Sequence, residues 1–301
     1  MIYTVTLNPA VDYVLEVDSI KIGETNRVRE ENYYIGGKGI NVSRVLKELD
    51  IPSVALGFAA GFTGDLICSF LEKYGIKSDF VRLDSGFSRI NVKIKNNTVT
   101  EINGNGPDIS KEKIYMLFNK LDAVKDGDLI VLAGSVPQSV PFDIYQKIME
   151  RLSGKDIRFA VDATGQLLLD TLKYKPFVIK PNIDELAELF GKYPESEEEI
   201  LKFANELHKK GARNVIVSLG KEGAVLVDEN GHISRVSAHK GNVKNTVGAG
   251  DSLLAGFIAG YEKTGDFSYA LRLGNAAGAA TAFSEDLAKR KRIDEILNND
   301  N

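Results

Sequence analysis

Asn245-Thr246-Val247-Gly248-Ala249-Gly250-Asp251-Ser252 leads into an apolar, small-residue segment over residues 253–261. A glycine-rich loop before such a segment is typical of a chain that enters a helix N-terminus, where unpaired N–H groups and a partial positive charge favour a phosphate. Gly248 and Gly250 would let the backbone approach that ligand closely. Asp251 would then serve as a base that takes a proton from an attacking hydroxyl. A tight turn before a buried helix explains the same residues about equally well.

Around this loop, short apolar runs alternate with segments of helical period. The predicted strands cover residues 53–58, 80–83, 128–132, 158–161, 177–180 and 214–219. Residues 38–49 and 110–124 each place their apolar side chains on one helical face. Ser196 and Glu199 form a capping box for a further helix that Gly211 ends. This alternation predicts βαβ units around a mostly parallel sheet.

Two regions interrupt this alternation and predict a second, smaller sheet. Segments around residues 13–17 and 27–33 alternate between polar and apolar side chains, as do residues 89–95 and 98–103, which Asn96-Asn97 would connect as a turn. Half-exposed antiparallel strands have this pattern, so we expect a β lid, formed by insertions at about 12–34 and 87–104, that could also be a dimer surface.

Composition excludes several classes of protein. The 301 residues are 43% hydrophobic and 27% charged, as in an ordinary globular protein. The net charge of -4 argues against a nucleic-acid partner. Cys68 is the only cysteine, so no intrachain disulfide can form and a reducing cytoplasm is expected. A strand-like run directly after Met1 argues against a signal peptide, and no apolar run is long enough to suggest a membrane partner.

Two further motifs near the N-terminus could contact a ligand. Gly36-Gly37-Lys38-Gly39-Ile40-Asn41 enters a predicted helix and supplies a cation and an amide, but it lacks the spacing of a P-loop and a flexible turn is an equal alternative. Asp12 follows a strand that ends at Asn8-Pro9, at the edge where α/β sheets bind ligands. Asp12 could accept hydrogen bonds from sugar hydroxyls, although a turn-capping Asp is the commoner case.

Later motifs could contact a nucleotide. In Lys180-Pro181-Asn182-Ile183-Asp184-Glu185 the side chain of Asn182 caps a helix, and Glu185 could act on Mg²⁺ through water. Ser218-Leu219-Gly220-Lys221-Glu222-Gly223 is a strand followed by a glycine-spaced turn, for which a simple hairpin is an alternative. Arg27 and Arg89 fall in the predicted lid, where they would suit a phosphorylated substrate or lie on the surface.

Taken in order, these motifs resemble the signatures of the ribokinase-like, or PfkB, family of sugar kinases. The matching elements are Gly36-Gly37-Lys38-Gly39-x-Asn41, Ala133-Gly134-Ser135-Val136-Pro137, Asn182-x-x-Glu185 and 245–251. The opening residues 4–12 look similar to the branch of 1-phosphofructokinases and tagatose-6-phosphate kinases. The resemblance covers residues 4 to about 288. It implies a single three-layer αβα domain over residues 1–301 with a small antiparallel β lid.

The resemblance also implies roles for individual residues. Asp251 would be the catalytic base, and the N–H groups of Gly248, Ala249, Gly250 and Asp251 would form the anion hole. The residues implied for the sugar phosphate are Asp12, Arg27, Gly36, Gly37, Lys38, Asn41, Arg89, Asn103 and Ser135, with Arg27 and Arg89 on the existing phosphate. The residues implied for ATP are Lys180, Asn182, Glu185, Ser218, Gly220, Gly223, Gly250 and Asn275, with Glu185 holding Mg²⁺ through water.

The implied reaction is ATP-dependent phosphorylation of the 6-hydroxyl of D-fructose 1-phosphate by a homodimer that pairs through its lids. Tagatose 6-phosphate and fructose 6-phosphate are alternative substrates. A sugar-phosphate sensor without catalysis is an alternative of another class, against which the intact Asp251 and glycine loop argue. A structural or interaction protein is a third alternative. Many family members carry Asp at the position of Asn245, near a monovalent-cation site in some relatives, so K⁺ activation stays open.

Overall fold

A ten-stranded sheet forms the centre of the computed structural model, which describes residues 1–96 and 98–299. Asn97 of the predicted turn and the last two residues of the predicted domain lie outside the described residues. The strands, in chain order, are β1 (Ile2–Thr6), β2 (Ala10–Glu16), β3 (Glu30–Gly36), β4 (Ser53–Ala59), β5 (Lys77–Ser78), β6 (Val81–Arg82), β7 (Arg89–Lys95), β8 (Val99–Asn103), β9 (Leu129–Ala133), β10 (Arg158–Asp162), β11 (Val178–Ile179), β12 (Asn214–Ser218), β13 (Ala224–Val227) and β14 (Ile233–Val236).

The central sheet has the order β14-β13-β12-β11-β10-β9-β1-β4-β5, and β6 pairs with β4. Its strands are parallel from β12 to β5, and β13 and β14 add an antiparallel edge. The predicted mostly parallel sheet is therefore confirmed. The strand order reverses beside β1, which pairs with β4 on one side and with β9 on the other. In an α/β sheet this reversal creates the crevice in which ligands bind.

Helices cover both faces of this sheet. They are α1 (Lys38–Glu48), α2 (Gly61–Lys73), α3 (Lys111–Leu121), α4 (Ile144–Arg151), α5 (Gly165–Leu169), α6 (Ile183–Phe190), α7 (Glu197–Lys209), α8 (Ala249–Thr264), α9 (Phe267–Ala282) and α10 (Arg290–Asn298). On β9, Ile130 and Leu132 face the core under α3, α4, α6 and α7, whereas Leu129 and Val131 face α1, α8, α9 and α10. This alternation builds the predicted three-layer αβα fold. Within the described residues, no helix combines the length and apolarity needed to span a membrane.

The second sheet has the order β3-β2-β7-β8 and forms the predicted lid. Its outer pairs, β2 with β3 and β7 with β8, are antiparallel as predicted, but the central pair of β2 and β7 is parallel. The strand predicted from residue 27 begins only at Glu30, because the side chain of Asn26 closes a turn onto both backbone groups of Lys21. Arg27 therefore lies in an exposed loop before the lid strand.

Candidate active site

Asp251 lies in the first turn of α8, as the sequence predicts. Gly248 caps this helix in the left-handed conformation, with φ of 79°. The Asp251 carboxylate is 6% exposed, and Asn41 Nδ2 on α1 donates a hydrogen bond of 2.8 Å to its Oδ2. The N–H of Ala249 donates to Thr246 O at 3.2 Å, so this member of the predicted anion hole is already bonded in the turn. The N–H groups of Gly250 and Asp251 belong to the first helical turn, which has no intrahelical acceptors for them.

Asp162 is a site residue that the sequence analysis missed. It ends β10, is 1% exposed, and accepts a 3.0 Å hydrogen bond from Lys38 Nζ. Lys180 follows β11, and its Nζ lies 3.5 Å from the other carboxylate oxygen of Asp162. Lys38 Nζ also lies 3.9 Å from Glu185 Oε1. A carboxylate at the carboxyl end of a buried strand was the available signal, but the predicted strand ended at residue 161. Lys38 therefore points toward the ends of β10 and β11 rather than into the lid.

The charges in this cluster shift one another's proton affinities. Burial first, and the charge of Asp162 second, raise the pKa of Asp251 to about 6 against the opposing effects of Lys38, Asn41 and Lys180. Burial also opposes ionisation of Asp162, but the ammonium groups of Lys180 and Lys38 outweigh it and hold the pKa of Asp162 below its usual value. The pKa of Lys38 is raised, since the nearby carboxylates outweigh its own desolvation. A carboxyl with a pKa near neutrality is suited to accept a proton from a hydroxyl group.

The cleft under the lid contains Asp12, which other lid residues hold in place. Asn91 Nδ2 donates a 2.7 Å hydrogen bond to Asp12 Oδ1, and Lys93 Nζ lies 3.3 Å from Oδ2. Neither partner is predicted by the sequence, because the parallel pairing of β2 with β7 brings them to Asp12. Gly36 faces the same carboxylate, and a Cβ there would lie 3.0 Å from Oδ2.

The cleft itself has a volume of about 300 Å³. Its lining includes Asp12, Tyr34, Gly36, Asn41, Arg44, Lys93, Lys95, Glu101, Thr246, Val247, Asp286 and Leu287. The set joins the lid to α1 and to the loop that carries Gly248, so a small molecule in the cleft would lie beside the start of α8. The lining combines apolar side chains with the carboxylates Asp12, Glu101 and Asp286 and with several cations. Cations beside hydroxyl-accepting carboxylates suit a phosphorylated, hydroxyl-rich ligand.

Arg89 begins the lid strand β7 and is half-buried. Its Nε has no hydrogen-bond partner among the residues that the structure describes. Burial lowers the pKa of Arg89, while the charge of Asp12 acts in the opposite direction. A desolvated guanidinium with an unused donor is suited to bind an anion. Asn103 ends β8 opposite Asn91, Ser135 follows β9, and both residues are exposed.

Packing within the chain requires glycines in the Gly36–Gly39 motif, in addition to the predicted contact with a ligand. A Cβ on Gly37 would lie 2.7 Å from Thr6 Cγ2, and a Cβ on Gly39 would lie 2.5 Å from Thr6 Oγ1. These glycines let α1 begin directly against β1. Their spacing therefore places Lys38 and Asn41 at the ends of the parallel strands.

The predicted nucleotide residues lie at or just after the ends of β11 and β12 and on α9, except Gly250, which lies in the first turn of α8. Asn182 and Glu185 form a complete capping box on α6, and Asn182 forms an isolated parallel bridge with Ser218. Asn275 Nδ2 on α9 donates to Ser237 O at 2.9 Å. Gly220 has φ of 56° and open space around it, which fits close approach by a ligand. Gly223 instead faces its own chain, since a Cβ there would lie 2.0 Å from Val236 O.

Comparison with known proteins agrees with this geometry. The sequence profile described as pfkB family carbohydrate kinase matches residues 5–290. The 1-phosphofructokinase of Bacillus subtilis (strain 168) is 44% identical over 99% of this chain and 97% of its own length. A D-tagatose-1-phosphate kinase of Bacillus licheniformis is 40% identical over 98% of this chain and 97% of its own length. The crystal structure of phosphofructokinase-2 from Escherichia coli in complex with substrates and products superposes with a TM-score of 0.93 at 26% identity, over 99% of this chain and 98% of that one.

Proposed function

This chain belongs to the pfkB family of carbohydrate kinases, and on that premise we propose that it transfers the γ-phosphoryl group of ATP to the 6-hydroxyl of D-fructose 1-phosphate. The observation that carries the proposal is the position of the Asp251 carboxylate. It is buried in the first turn of α8, held by Asn41, and located between the lid cleft and the strand ends that carry Asp162 and Lys180.

In the proposed reaction, Asp251 accepts the proton of the 6-hydroxyl as that oxygen attacks the γ-phosphorus. A new O–P bond forms, the bond between the γ-phosphorus and the bridging oxygen breaks, and ADP leaves with the electron pair. Such a transfer depends on positioning and on charge stabilisation rather than on covalent catalysis. The N–H groups at the start of α8 would stabilise the charge on the transferring group. Lys180 Nζ would assist, since it lies 3.1 Å from the position that a Cβ on Gly250 would take.

Magnesium fits the residues on the nucleotide side. Among the described residues, no group of three or more His, Cys, Asp or Glu side chains could hold a metal on its own. Glu185 uses Oε2 in the capping box and presents Oε1 toward Lys38, so it could hold Mg²⁺ through water, together with phosphate oxygens. The ion would neutralise phosphate charge when bound. Asn182 and Ser218 would orient the nucleotide beside it.

On the sugar side, Asp12 would accept hydrogen bonds from substrate hydroxyls while Asn91 and Lys93 fix its orientation. Arg89 would bind the 1-phosphate through its unused donor. The role of Arg27 in phosphate binding is a proposal that depends on the loop before β3, since Arg27 is exposed there. The lid would exclude water and so limit hydrolysis of ATP.

D-Tagatose 1-phosphate is a second candidate substrate. The Bacillus licheniformis relative at 40% identity, with nearly complete coverage of both chains, is named for that sugar rather than for the predicted tagatose 6-phosphate. The two ketose 1-phosphates differ only in configuration at C4. The side chains that face C4 therefore decide between them, and the 6-hydroxyl chemistry at Asp251 is the same for both.

We also propose that the protein is cytoplasmic. We further propose that it forms a homodimer through the lid. The lid face opposite the cleft carries Tyr13, Tyr33, Val92 and Ile102, which alternate with the cleft residues along their strands, beside the polar residues Glu31 and Thr100. Tyr33 is 55% and Ile102 59% exposed, which favours a partner surface for this face. Sedimentation of the wild type, Ile102→Lys and the cleft-face control Val99→Lys tests the dimer. Loss of the dimer in Ile102→Lys alone is expected, and a monomeric wild type would contradict the proposal.

A coupled assay of ADP release tests the reaction. Fructose 1-phosphate, tagatose 1-phosphate, fructose 6-phosphate and tagatose 6-phosphate are compared at equal ATP and Mg²⁺, with Asp251→Asn as the matched control. We expect the highest kcat/KM with fructose 1-phosphate. Sugar-phosphate binding without ADP release would instead favour the sensor. A higher kcat/KM with a 6-phosphate would contradict the proposed substrate.

A further inference from the structure

Arg44 is a buried cation on α1 that the proposed reaction does not use. It is 2% exposed, and its guanidinium pairs with both carboxylate oxygens of Asp286, at 3.1 and 2.5 Å. The same guanidinium lies over the rings of Phe70 and Tyr74, at 5.1 and 5.5 Å from their centroids. A buried charge is costly unless it is well paired, so this arrangement fixes Asp286 at a defined place beside α1.

Asp286 in turn fixes Leu287. The backbone N–H of Leu287 donates a 2.7 Å hydrogen bond to Asp286 Oδ1, and the Leu287 side chain is 7% exposed. Its Cδ2 would lie only 2.5 Å from a Cβ on Gly248, so Leu287 packs directly on the residue that caps α8. The Arg44 ion pair therefore reaches the phosphate-binding loop through one side chain.

A chain of buried hydroxyl groups links the same segment to the same loop at a second point. The N–H of Ala288 donates to Thr281 Oγ1 at 3.1 Å, and Thr281 Oγ1 lies 2.7 Å from Ser252 Oγ. Ser252 Oγ donates to the carbonyl of Gly248 at 2.8 Å. Residues 286–288 thus hold Gly248 both by packing and by hydrogen bonds, and Arg44 holds residues 286–288.

We infer that Arg44, Asp286 and Leu287, here called the buttress, position the N–H groups at the start of α8 for phosphoryl transfer. Arg44 lies one helical turn after Asn41, which holds Asp251. One helix therefore sets both the base, through Asn41, and the anion-binding loop, through the buttress. This inference rests on the proposed kinase activity. Arg44 acts through Leu287 and Gly248, so it is a positioning residue.

The competing role for this pair is direct binding of the sugar phosphate, since Arg44 and Asp286 both border the cleft. The two roles differ in kinetics. A misplaced loop lowers kcat and leaves KM for the sugar phosphate near the wild-type value, because the interaction that is lost belongs to the transition state. Loss of a substrate contact raises KM with kcat preserved.

Glu48 provides a matched control on the same helix. It accepts hydrogen bonds from Lys289 Nζ at 3.0 Å, from the N–H of Arg290 at 3.0 Å and from the Tyr74 hydroxyl at 2.6 Å. Glu48→Gln therefore weakens an ion pair between α1 and the chain just after the buttress. None of these partners belongs to the Gly248 loop, so this variant separates general loosening from positioning.

Steady-state kinetics with ATP and fructose 1-phosphate test the inference. Wild-type turnover, measured first, tests the proposed function by itself. We expect Arg44→Met and Leu287→Ala to lower kcat at least about tenfold while KM stays near the wild-type value. The loss should be smaller than the about 10²-fold that a 1 Å misplacement can cost. Arg44→Lys, which keeps the charge but not the two parallel hydrogen bonds, should fall between Arg44→Met and wild type. Glu48→Gln should keep the wild-type kcat.

Thermal unfolding shows whether each variant is folded at the assay temperature. If Arg44→Met is unfolded there, the kinetics of Leu287→Ala test the inference. Wild-type kcat in both buttress variants would overturn the inference. An equal loss of kcat in Glu48→Gln would also overturn it, since the effect would then be general loosening. A raised KM for fructose 1-phosphate with unchanged kcat would assign Arg44 to substrate binding instead.

Discussion

Asn41 on α1 donates a 2.8 Å hydrogen bond from Nδ2 to Oδ2 of Asp251 on α8. The two residues are 210 positions apart in sequence, and both are buried. The bond leaves Oδ1 of Asp251 as the oxygen available to a substrate hydroxyl. It also holds the carboxylate in one orientation, so the proposed base does not have to be ordered when a substrate binds.

Asp251→Asn should lower kcat by at least about 10²-fold, because an amide cannot accept the hydroxyl proton. The KM for ATP should change little, since Asp251 is not among the residues proposed to bind the nucleotide. Initial rates of ADP release at saturating sugar phosphate check this prediction. A near-normal kcat would rule out Asp251 as the base.

The same substitution should stabilise the fold near neutral pH. The pKa of Asp251 is raised to about 6 when folded, so the folded state binds the proton more tightly than the unfolded chain does. This contribution to stability is present below the unfolded pKa and is lost as the pH rises through about 6. Because each pKa unit corresponds to about 1.4 kcal/mol, Asp251→Asn should raise the free energy of unfolding by up to about 3 kcal/mol at pH 7.5.

Urea unfolding of both proteins between pH 4.5 and pH 8 measures this difference. The gain of the variant over the wild type should be small at the acid end and reach a plateau above about pH 7. A variant that is less stable than the wild type at pH 7.5 would show that the Asp251 carboxylate is not desolvated as the structure indicates.

The acid limb of the pH profile, the fall of kcat/KM at low pH, should report the ionisation of Asp251, whose pKa Asp162 helps to raise. Since the base must be ionised, kcat/KM for the sugar phosphate should fall below a pH of about 6. The substrate phosphate ionises in the same range, at about pH 6, and so needs a control. Asp162→Asn removes a charge that raises the pKa of Asp251 and should move the enzyme's limb to lower pH, whereas ionisation of the substrate does not move. Identical limbs in the two proteins would contradict this assignment.

Local sequence predicted the place of Asp251 at the start of a helix but not its surroundings. The glycine loop before Asp251 is a short-range pattern, because a helix start is set by neighbouring residues. Asp162 escaped prediction because its role arises from pairing with Lys38 at a separation of 124 residues. Lys93 and Asn91 reach Asp12 only through the parallel pairing of β2 and β7, which no local pattern encodes. The strand predicted around Arg27 was displaced by a side-chain turn at Asn26.

Arg89→Ala should mainly raise KM for fructose 1-phosphate. The Arg89 guanidinium is half-buried, with a donor that meets no acceptor among the described residues, so an arriving phosphate would gain a desolvated, charge-assisted hydrogen bond. Unphosphorylated fructose supplies the comparison, because it lacks the group that Arg89 is proposed to bind. An equal rise in KM for both sugars would show that Arg89 does not bind the phosphate.

Gly248→Ala should reduce kcat far more than its backbone strain alone explains. Gly248 and Gly127 both have positive φ, 79° and 83°, so alanine costs about 1–2 kcal/mol at either position. A Cβ at Gly127 meets no atom within 4 Å, whereas a Cβ at Gly248 lies 2.5 Å from Leu287 Cδ2. Gly127 precedes β9 at the end of the sheet far from the site. Gly127→Ala should therefore lose stability but keep the wild-type kcat at a temperature where the variant is folded. Gly248→Ala should lose both stability and kcat. Its new methyl group displaces either Leu287 or the loop that carries the N–H groups proposed to bind the anion. Equal kcat values for the two variants at matched folded fraction would show that the conformation of Gly248 does not control phosphoryl transfer.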